Sequence, residues 1–375
     1  MAPGRTLTLM LSDAEAAARA IAAFAATRPL AAVVPTDDQT ALVAAHAAAR
    51  LGLPHNPPDA ALAARRKHLL RDRLNAAGVR TPGHRLISLD PPPDDAALAA
   101  RAREQAYPCV LKPTSLSASR GVIRADTPEA FITAFRRIEA LLRRPDVLER
   151  AGEDGRRSIL VEEFVPGDEV AVEGLLIRGR LKVLALFDKP DRLDGPFFEE
   201  TIYVTPSRHP APVQEAILKT TADGARALGL VEGPVHAELR VGPAGAWIIE
   251  VAARSIGGLC GRVLRFGAGI GLEELILTHA LGRDVDALER ELGSAGVMMI
   301  PVPRAGILRA VNGLAAARAV PGIVDITLSA TLGQPLVPWP EGAAYPGFIY
   351  ARGDSPAAVE SALREAHQRL KFVLD

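Results

Sequence analysis

Aromatic residues make up only 4% of the 375-residue chain, and there are just two cysteines. Cys109 and Cys260 lie in apolar or glycine-rich surroundings with no metal-ligand spacing. That excludes a disulfide-built secreted scaffold and a cysteine zinc site, and favours reduced thiols over a lone disulfide. No excess of either charge exists: 44 Lys+Arg balance 44 Asp+Glu, so no basic field attracts nucleic acid or an anionic membrane. No stretch approaches the ~18 uninterrupted apolar residues of a spanning helix, and Met1 to Ala26 lacks a basic segment followed by a long apolar run. The expectation is a cytoplasmic protein with no nucleic-acid or membrane partner. Sequence repeats and long low-complexity segments are also missing. The length suffices for two or three domains with ample cores.

Against this plain background one stretch stands out. Val235-His236-Ala237-Glu238-Leu239-Arg240 and Trp247-Ile248-Ile249-Glu250-Val251-Ala252-Ala253-Arg254 both read as strands, with Gly242-Pro243-Ala244-Gly245 as the turn between them. Such a hairpin brings Glu238 and Glu250 close, and the period of two puts Glu250, Ala252 and Arg254 on one face. Carboxylates this close repel unless a cation lies between them, and hard oxygen ligands suit Mg²⁺. An arginine beside that cation can hold a phosphoryl oxygen. The bland alternative is an Arg–Glu ion pair on a solvated sheet edge. His236 shares the face of Glu238, where a substrate contact and a structural histidine are equally supported.

Taken in order, Thr6 to Leu11 reads as a strand, Ser12-Asp13-Ala14-Glu15 as a capping box opening a helix to Thr27, and Leu30 to Pro35 as a second strand. A helix from Asp37 or Asp38 ends at Gly52, and this βαβα order predicts parallel strands. Thr36-Asp37-Asp38 reads best as helix capping. Arg65 to Asp72, including Lys67, has the look of a solvated charged face. Tyr107 to Pro113 is a buried strand ending in Lys112, followed by the hydroxyl-rich loop Thr114 to Val122. Backbone N–H groups of such a loop can cradle phosphate beside the lysine's point charge; a hairpin turn with a snorkelling lysine is the alternative. A helix is expected from Thr127 to about Arg150, then a strand at Ser158 to Val165. Val170 to Lys189 reads as two strands joined at Arg178-Gly179-Arg180, with Glu173 on the face of Glu169. The broken loop from Asp188 to Thr201 is a place for substrate specificity. Further on, Pro210 to Leu228 and Ile270 to Leu281 are helical, Gly296 to Pro301 is a strand, and Gly306 to Ala319 is a helix. Ile323 to Leu328 and Gly347 to Tyr350 are strands, and Ser355 to Leu370 closes the chain as a helix.

The ordered set of Lys67 before Gly78-Val79-Arg80-Thr81-Pro82, Lys112 with its Ser/Gly loop, Glu162 to Glu169, and Glu238 with Glu250 to Arg254 resembles the ATP-grasp superfamily. His236-Ala237-Glu238 with Glu250-Val251-Ala252-Ala253-Arg254 is most similar to its L-amino-acid ligase branch. The resemblance implies an α/β (α+β) ATP-grasp fold: a shortened N-terminal parallel-sheet domain at 1–88, a small lid domain at 105–165, a larger antiparallel domain at 166–295, and a C-terminal α+β extension at 296–375. It also implies the ligand contacts. Lys67, Lys112, Ser119, Gly121 and Val122 would meet ATP phosphates, Glu162 the adenine amino group, and Glu163, Phe164 and Val165 the ring edge. Glu169 would hold the ribose, and Glu238 and Glu250 the Mg²⁺, with Mn²⁺ as an alternative. The family's usual third ligand, an Asn, is Ala252 here.

The implied reaction joins a carboxylate and an amine, amino acids being the expected pair, through an acylphosphate. Arg254, Lys112 and His236 are its candidate catalytic residues, and a homodimer is common in the family. Three rivals are a purine-pathway or biotin-carboxylase-like ligase, a nucleotide-binding regulator that has lost catalysis, and a kinase-like phosphotransferase.

Overall fold

A computed structural model describes residues 6–148, 155–267 and 269–375. The chain begins with four helices: α1 (Ala14–Thr27), α2 (Asp38–Leu51), α3 (Pro58–Arg65) and α4 (Lys67–Ala76). Asp13 rather than Ser12 caps α1, accepting from the Ala16 N–H. Asp37 caps α2 in a reciprocal box with Thr40, and Gly52 ends that helix in the left-handed region. The expected strands at Thr6–Leu11 and Leu30–Pro35 do not form, and no parallel strand pairing occurs among the described residues. Two short apolar runs have no third strand to pair with, and alanine-rich α1 and α2 pack on one another instead.

A four-stranded antiparallel sheet follows, built from β1 (His84–Ser88), β2 (Cys109–Pro113), β3 (Ile123–Ala125) and β4 (Ser158–Glu163) in the order β1-β4-β2-β3. Thus β1, which precedes residue 105, is part of this small layer. The layer is covered by α5 (Asp95–Glu104) and α6 (Pro128–Leu142), whose Phe131, Phe135 and Ile138 bury against Leu111 and Val161. Thr127 caps α6, which stops at Leu142; the expected end near Arg150 lies outside the described residues.

The main sheet has eight antiparallel strands in the order β12-β14-β10-β7-β6-β5-β8-β9. These are β5 (Asp168–Ile177), β6 (Arg180–Lys189), β7 (Ile202–Thr205), β8 (Gly233–Gly242), β9 (Gly245–Ala252), β10 (Ser294–Met299), β12 (Ile323–Leu328) and β14 (Gly347–Gly353). On one face α3, α4 and α7 (Ala211–Leu228) bury Leu70, Leu74, Ile217 and Leu228 against Val172, Leu239 and Ile248. Elsewhere α8 (Leu272–Ala280) and α10 (Pro356–Arg369) cover the sheet. The stretch expected as a helix from Gly306 is instead β11 (Gly306–Asn312), followed after Gly313 by the short α9 (Leu314–Arg318). β11 pairs with β13 (Pro335–Leu336) and with β15 (Lys371–Leu374), the chain's last strand. That distant pairing overrides local helix propensity. Cys109 and Cys260 are both buried free thiols. No helix among the described residues is long and apolar enough to cross a membrane.

Candidate active site

The β8–β9 hairpin forms as its pattern predicts. Gly242 pairs with Gly245 at the turn, Glu238 stands directly opposite Glu250, and His236 opposite Ala252. A bulge after Glu238 absorbs one extra residue in β9, a device that re-aims side chains beside sites. Both carboxylates face a cavity of about 590 Å³ between the small sheet and the main sheet.

Every residue expected in the site reaches this cavity except Gly121. Its N–H donates instead to the Pro340 carbonyl at 2.8 Å. A Cβ there would lie 2.9 Å from both Pro113 and Leu141, and φ is +75°, so only glycine fits.

The four cations are fixed by specific partners. Lys67, the first residue of α4, donates from Nζ to Glu250 Oε2 at 2.8 Å. Lys112, near the end of β2, pairs with Glu162 Oε2 at 2.6 Å. Arg71 approaches the other oxygen of Glu162 at 2.8 Å and donates to the Ile249 carbonyl of β9. Burial alone would raise the Glu162 carboxyl; the charges of Arg71 and Lys112 outweigh it and bring it down to about 2. Arg254 is held by Asp38, Nε to Oδ1 and Nη2 to Oδ2, each at 3.1 Å. Burial opposes its charge, but Asp38 more than compensates and raises its pKa.

Three of these contacts revise the sequence reading. The segment Arg65–Asp72 is not a solvated face, because Arg71 is fully buried and Lys67 nearly so. Lys67 and Arg71, four residues apart, share one side of α4, and that spacing was a usable signal. Asp37 does cap α2, whereas Asp38 turns to the cavity and pairs with Arg254.

A second knot lies deeper. Oxygens of Glu169, Glu200 and Glu238 fall within 4.8 Å of one another. The ammonium of Lys189, the last residue of β6, sits among them at 2.7, 2.5 and 3.3 Å. Arg240 donates to the other Glu169 oxygen at 2.7 Å. Burial and the neighbouring Glu238 charge push Glu200 up to about 7, against the pull of Lys189. A buried lysine thus already offsets part of the negative charge of this acidic triad. His236 is also buried, with Nδ1 3.2 Å from Glu173 and Nε2 3.4 Å from Glu238. Burial disfavours its charged ring, but these two hydrogen bonds prevail and raise it to about 9. Glu173 is fully buried and also accepts from the Ile256 N–H, so it is no surface carboxylate.

The cavity has two differently lined ends. One, bounded by Val110, Val122, Phe164, Val165 and Phe198, is an apolar slot beside Lys112 and the Ser117–Val122 loop. Arg124 lies over the Phe164 ring, 4.2 Å from its centroid. Beyond Glu238, Glu250 and Arg254 the other end is lined by Ile256, Gly258, Met299, Ala344, Tyr345 and Phe348. Glu200 and Phe198 come from the polar loop where specificity was expected.

Residues 105–263 match the ATP-grasp domain family, and residues 298–375 match L-amino acid ligase C-terminal domain 2. The chain thus carries an ATP-grasp domain followed by an L-amino acid ligase C-terminal domain. Among solved structures, an L-amino acid ligase from Bacillus licheniformis superposes with a TM-score of 0.82 and 29% identity, covering 97% of this chain and 86% of that one. An alanine–anticapsin ligase of Bacillus subtilis is 27% identical over 64% of this chain and 52% of its own length. A dapdiamide A synthase of Enterobacter agglomerans is 26% identical over 52% of this chain and 43% of its own. The chain therefore spans about half the length of these two curated relatives. It has the ATP-grasp fold that its motifs imply, but without the parallel sheet expected at 1–88: every strand pairing among the described residues is antiparallel. ATP-grasp enzymes use ATP with divalent metal ions.

Proposed function

We propose that this ATP-grasp protein is a carboxylate–amine ligase that couples ATP cleavage to formation of a peptide-like bond between amino acids. The observation that carries the reading is the convergence, in one cavity, of two opposed carboxylates with Lys67, Lys112 and Arg254, next to an apolar slot at one end and a second apolar chamber at the other. A site that only bound nucleotide would have no use for the second chamber.

The slot between Val110, Phe164 and Phe198 suits a purine ring. Glu163 and Phe164 spend their N–H groups on the Gly83 and Pro108 carbonyls, so we assign the ring edge to the Val165 amide. Glu162, with Arg71 and Lys112 on its two oxygens, acts by holding Lys112 toward the phosphates. Glu238 and Glu250 form a hard-oxygen pair that would hold a divalent cation such as Mg²⁺, which would neutralise negative charge on the triphosphate. The carboxylate of the acid substrate attacks the γ-phosphorus, giving an acylphosphate and ADP. The amine then attacks the acyl carbon, phosphate leaves, and the amine's proton is lost to solvent or a site base. Arg254, oriented by Asp38, faces the negative charge of both steps. His236, wedged between Glu173 and Glu238, steadies the Glu238 carboxylate. The small-sheet layer serves as the lid that keeps water from the acylphosphate.

Phosphate release from Mg-ATP, measured across amino acids singly and in pairs, tests the reading. Release that requires a pair, with an amide found by mass spectrometry, is expected. Tight nucleotide binding without release from any pair would count against it, and hydroxylamine trapping of an acyl hydroxamate separates a ligase from a phosphotransferase.

The second chamber is lined mainly by Ile256, Met299, Tyr345 and Phe348, with Glu200 as the charged group nearest Tyr345, so the side chain it takes is largely apolar. Ala344, exposed on its rim, offers a clean probe. Ala344→Phe is expected to lower kcat/KM for bulky apolar substrates by about tenfold or more, the order expected for a filled apolar pocket. Alanine-sized substrates should be nearly unaffected. A uniform loss across sizes would show that Ala344 does not border the substrate.

A further inference from the structure

The phosphate-binding loop is held by a part of the chain more than two hundred residues away. Ala118 and Ser119 have φ of 54° and 53°, a left-handed conformation that non-glycine residues keep only where the surroundings impose it. The imposing contacts come from the segment between β13 and β14. The Trp339 indole N–H donates to the Ala118 carbonyl at 2.7 Å, and the Pro340 carbonyl takes the Gly121 N–H. Arg120 Nε donates to the Glu341 carbonyl at 3.0 Å, while its Nη2 pairs with Asp146 of the small layer. Arg137 on α6 grips both Glu341 oxygens from the other side.

The same segment reaches the substrate chamber. Trp339 is almost fully buried and packs on Tyr345 with centroids 4.6 Å apart, and Tyr345 contacts Phe348 at 6.3 Å. Tyr345 and Phe348 line the chamber. A side chain resting on those two rings therefore presses on the stack whose far end fixes the Ala118 carbonyl. Nothing in an isolated hairpin loop would provide this connection.

We propose that Trp339–Tyr345 is a clasp whose Trp339 and Glu341 are positioning residues: they set the phosphate loop and close it over the nucleotide when the apolar substrate chamber is filled. This rests on the ligase reading for the identity of the substrate, but the loop-holding role stands on geometry alone. It gives a reason for the C-terminal segment to be part of the catalytic unit. Closure then follows occupancy of the apolar chamber, so ATP is not spent when that chamber is empty.

The test uses the full chain with Trp339→Ala, Trp339→Phe and Arg137→Ala. Two readouts are compared: tryptic cleavage after Arg120 with hydrogen exchange of residues 115–122, and phosphate released per amide formed. In wild type, an apolar amino acid should slow cleavage further in the presence of a non-hydrolysable ATP analogue and Mg²⁺. Trp339→Ala should be cut at least tenfold faster, lose that protection, raise the KM for ATP more than it lowers kcat, and release several phosphates per amide. Trp339→Phe, which keeps the ring but not the N–H, should fall between. Arg137 lies on the small layer's outer surface, so Arg137→Ala remains informative should Trp339→Ala fail to fold. Unchanged cleavage and exchange in a folded Trp339→Ala, or in Arg137→Ala, would overturn the clasp. Loosening without any effect of the apolar amino acid would overturn the coupling. A wild type that releases phosphate with no amino acid pair would defeat the ligase reading while the cleavage arm still decides the clasp.

Discussion

Glu250→Gln is expected to slow phosphate release by about 10²–10³-fold while leaving the fold intact. The substitution keeps the side chain's volume, and its amide oxygen still accepts from Lys67, which now lies 2.8 Å from Glu250. What it removes is one of two facing negative charges. A divalent cation between phosphates contributes several kcal/mol of charge stabilisation, and each 1.36 kcal/mol is a factor of ten in rate. Losing half of its protein donors should cost a few such factors and raise the Mg²⁺ concentration needed for half-maximal rate. Steady-state phosphate release against Mg²⁺, with a thermal melt as control, gives both numbers. Turnover within a few-fold of wild type at every Mg²⁺ concentration would remove Glu250 from the metal site and favour a nucleotide-binding role for the chain.

The largest effect on stability should come from Glu162→Gln. Glu162 is 3% exposed and is shared by Arg71 and Lys112, themselves 0% and 5% exposed. Removing one charge from such a cluster leaves two buried cations facing each other with a weak acceptor between them, a change worth about 3–5 kcal/mol. The acid side of the stability curve carries the same signature. The carboxyl is held down to about 2 from an ordinary 4.5. Because the folded-state value is depressed, its contribution is complete above about 4.5 and is lost as the pH falls toward 2. The difference corresponds to about 3 kcal/mol. Urea unfolding at several pH values should therefore show wild type and Glu162→Gln converging as the pH falls from 5 to 2. Parallel curves would mean that Glu162 is not the group that titrates.

The parts of this site legible in the sequence are those with a local pattern. The hairpin was visible because alternation and a Gly-Pro-Ala-Gly turn fix its register, and a glutamate on each apolar strand has few reasons to be there. Lys112 with its loop and the run from Glu162 to Glu169 came into view only through the ordered family resemblance; that resemblance implied an adenine contact for Glu162, whose two oxygens instead face Arg71 and Lys112. What stayed hidden depends on distance along the chain. Asp38 and Arg254 are 216 residues apart, and no period links them. Lys189 looked like the start of a loop because nothing near it shows three carboxylates converging from β5, β8 and the 200 region. The first two apolar runs and the Gly306 stretch misled in opposite directions: short runs cannot tell a strand from a packed extended segment, and local propensity yields to a partner strand elsewhere.

The order of the main sheet places β9, and with it Glu250, at one edge. An edge strand offers an open ladder of N–H and C=O groups to any passing strand. Here α4 and the segment after it occupy it: the Ile248 N–H goes to the Arg80 carbonyl, the Thr81 hydroxyl donates to the Ile248 carbonyl, and Arg71 of α4 donates to that of Ile249. The helices ahead of the small layer, with the segment that follows α4, thus act as a sheath against self-association as well as a source of Lys67. A fragment lacking them would bare the very strand that carries Glu250, and its tendency would be to stack edge to edge into aggregates rather than to persist as a weakened monomer.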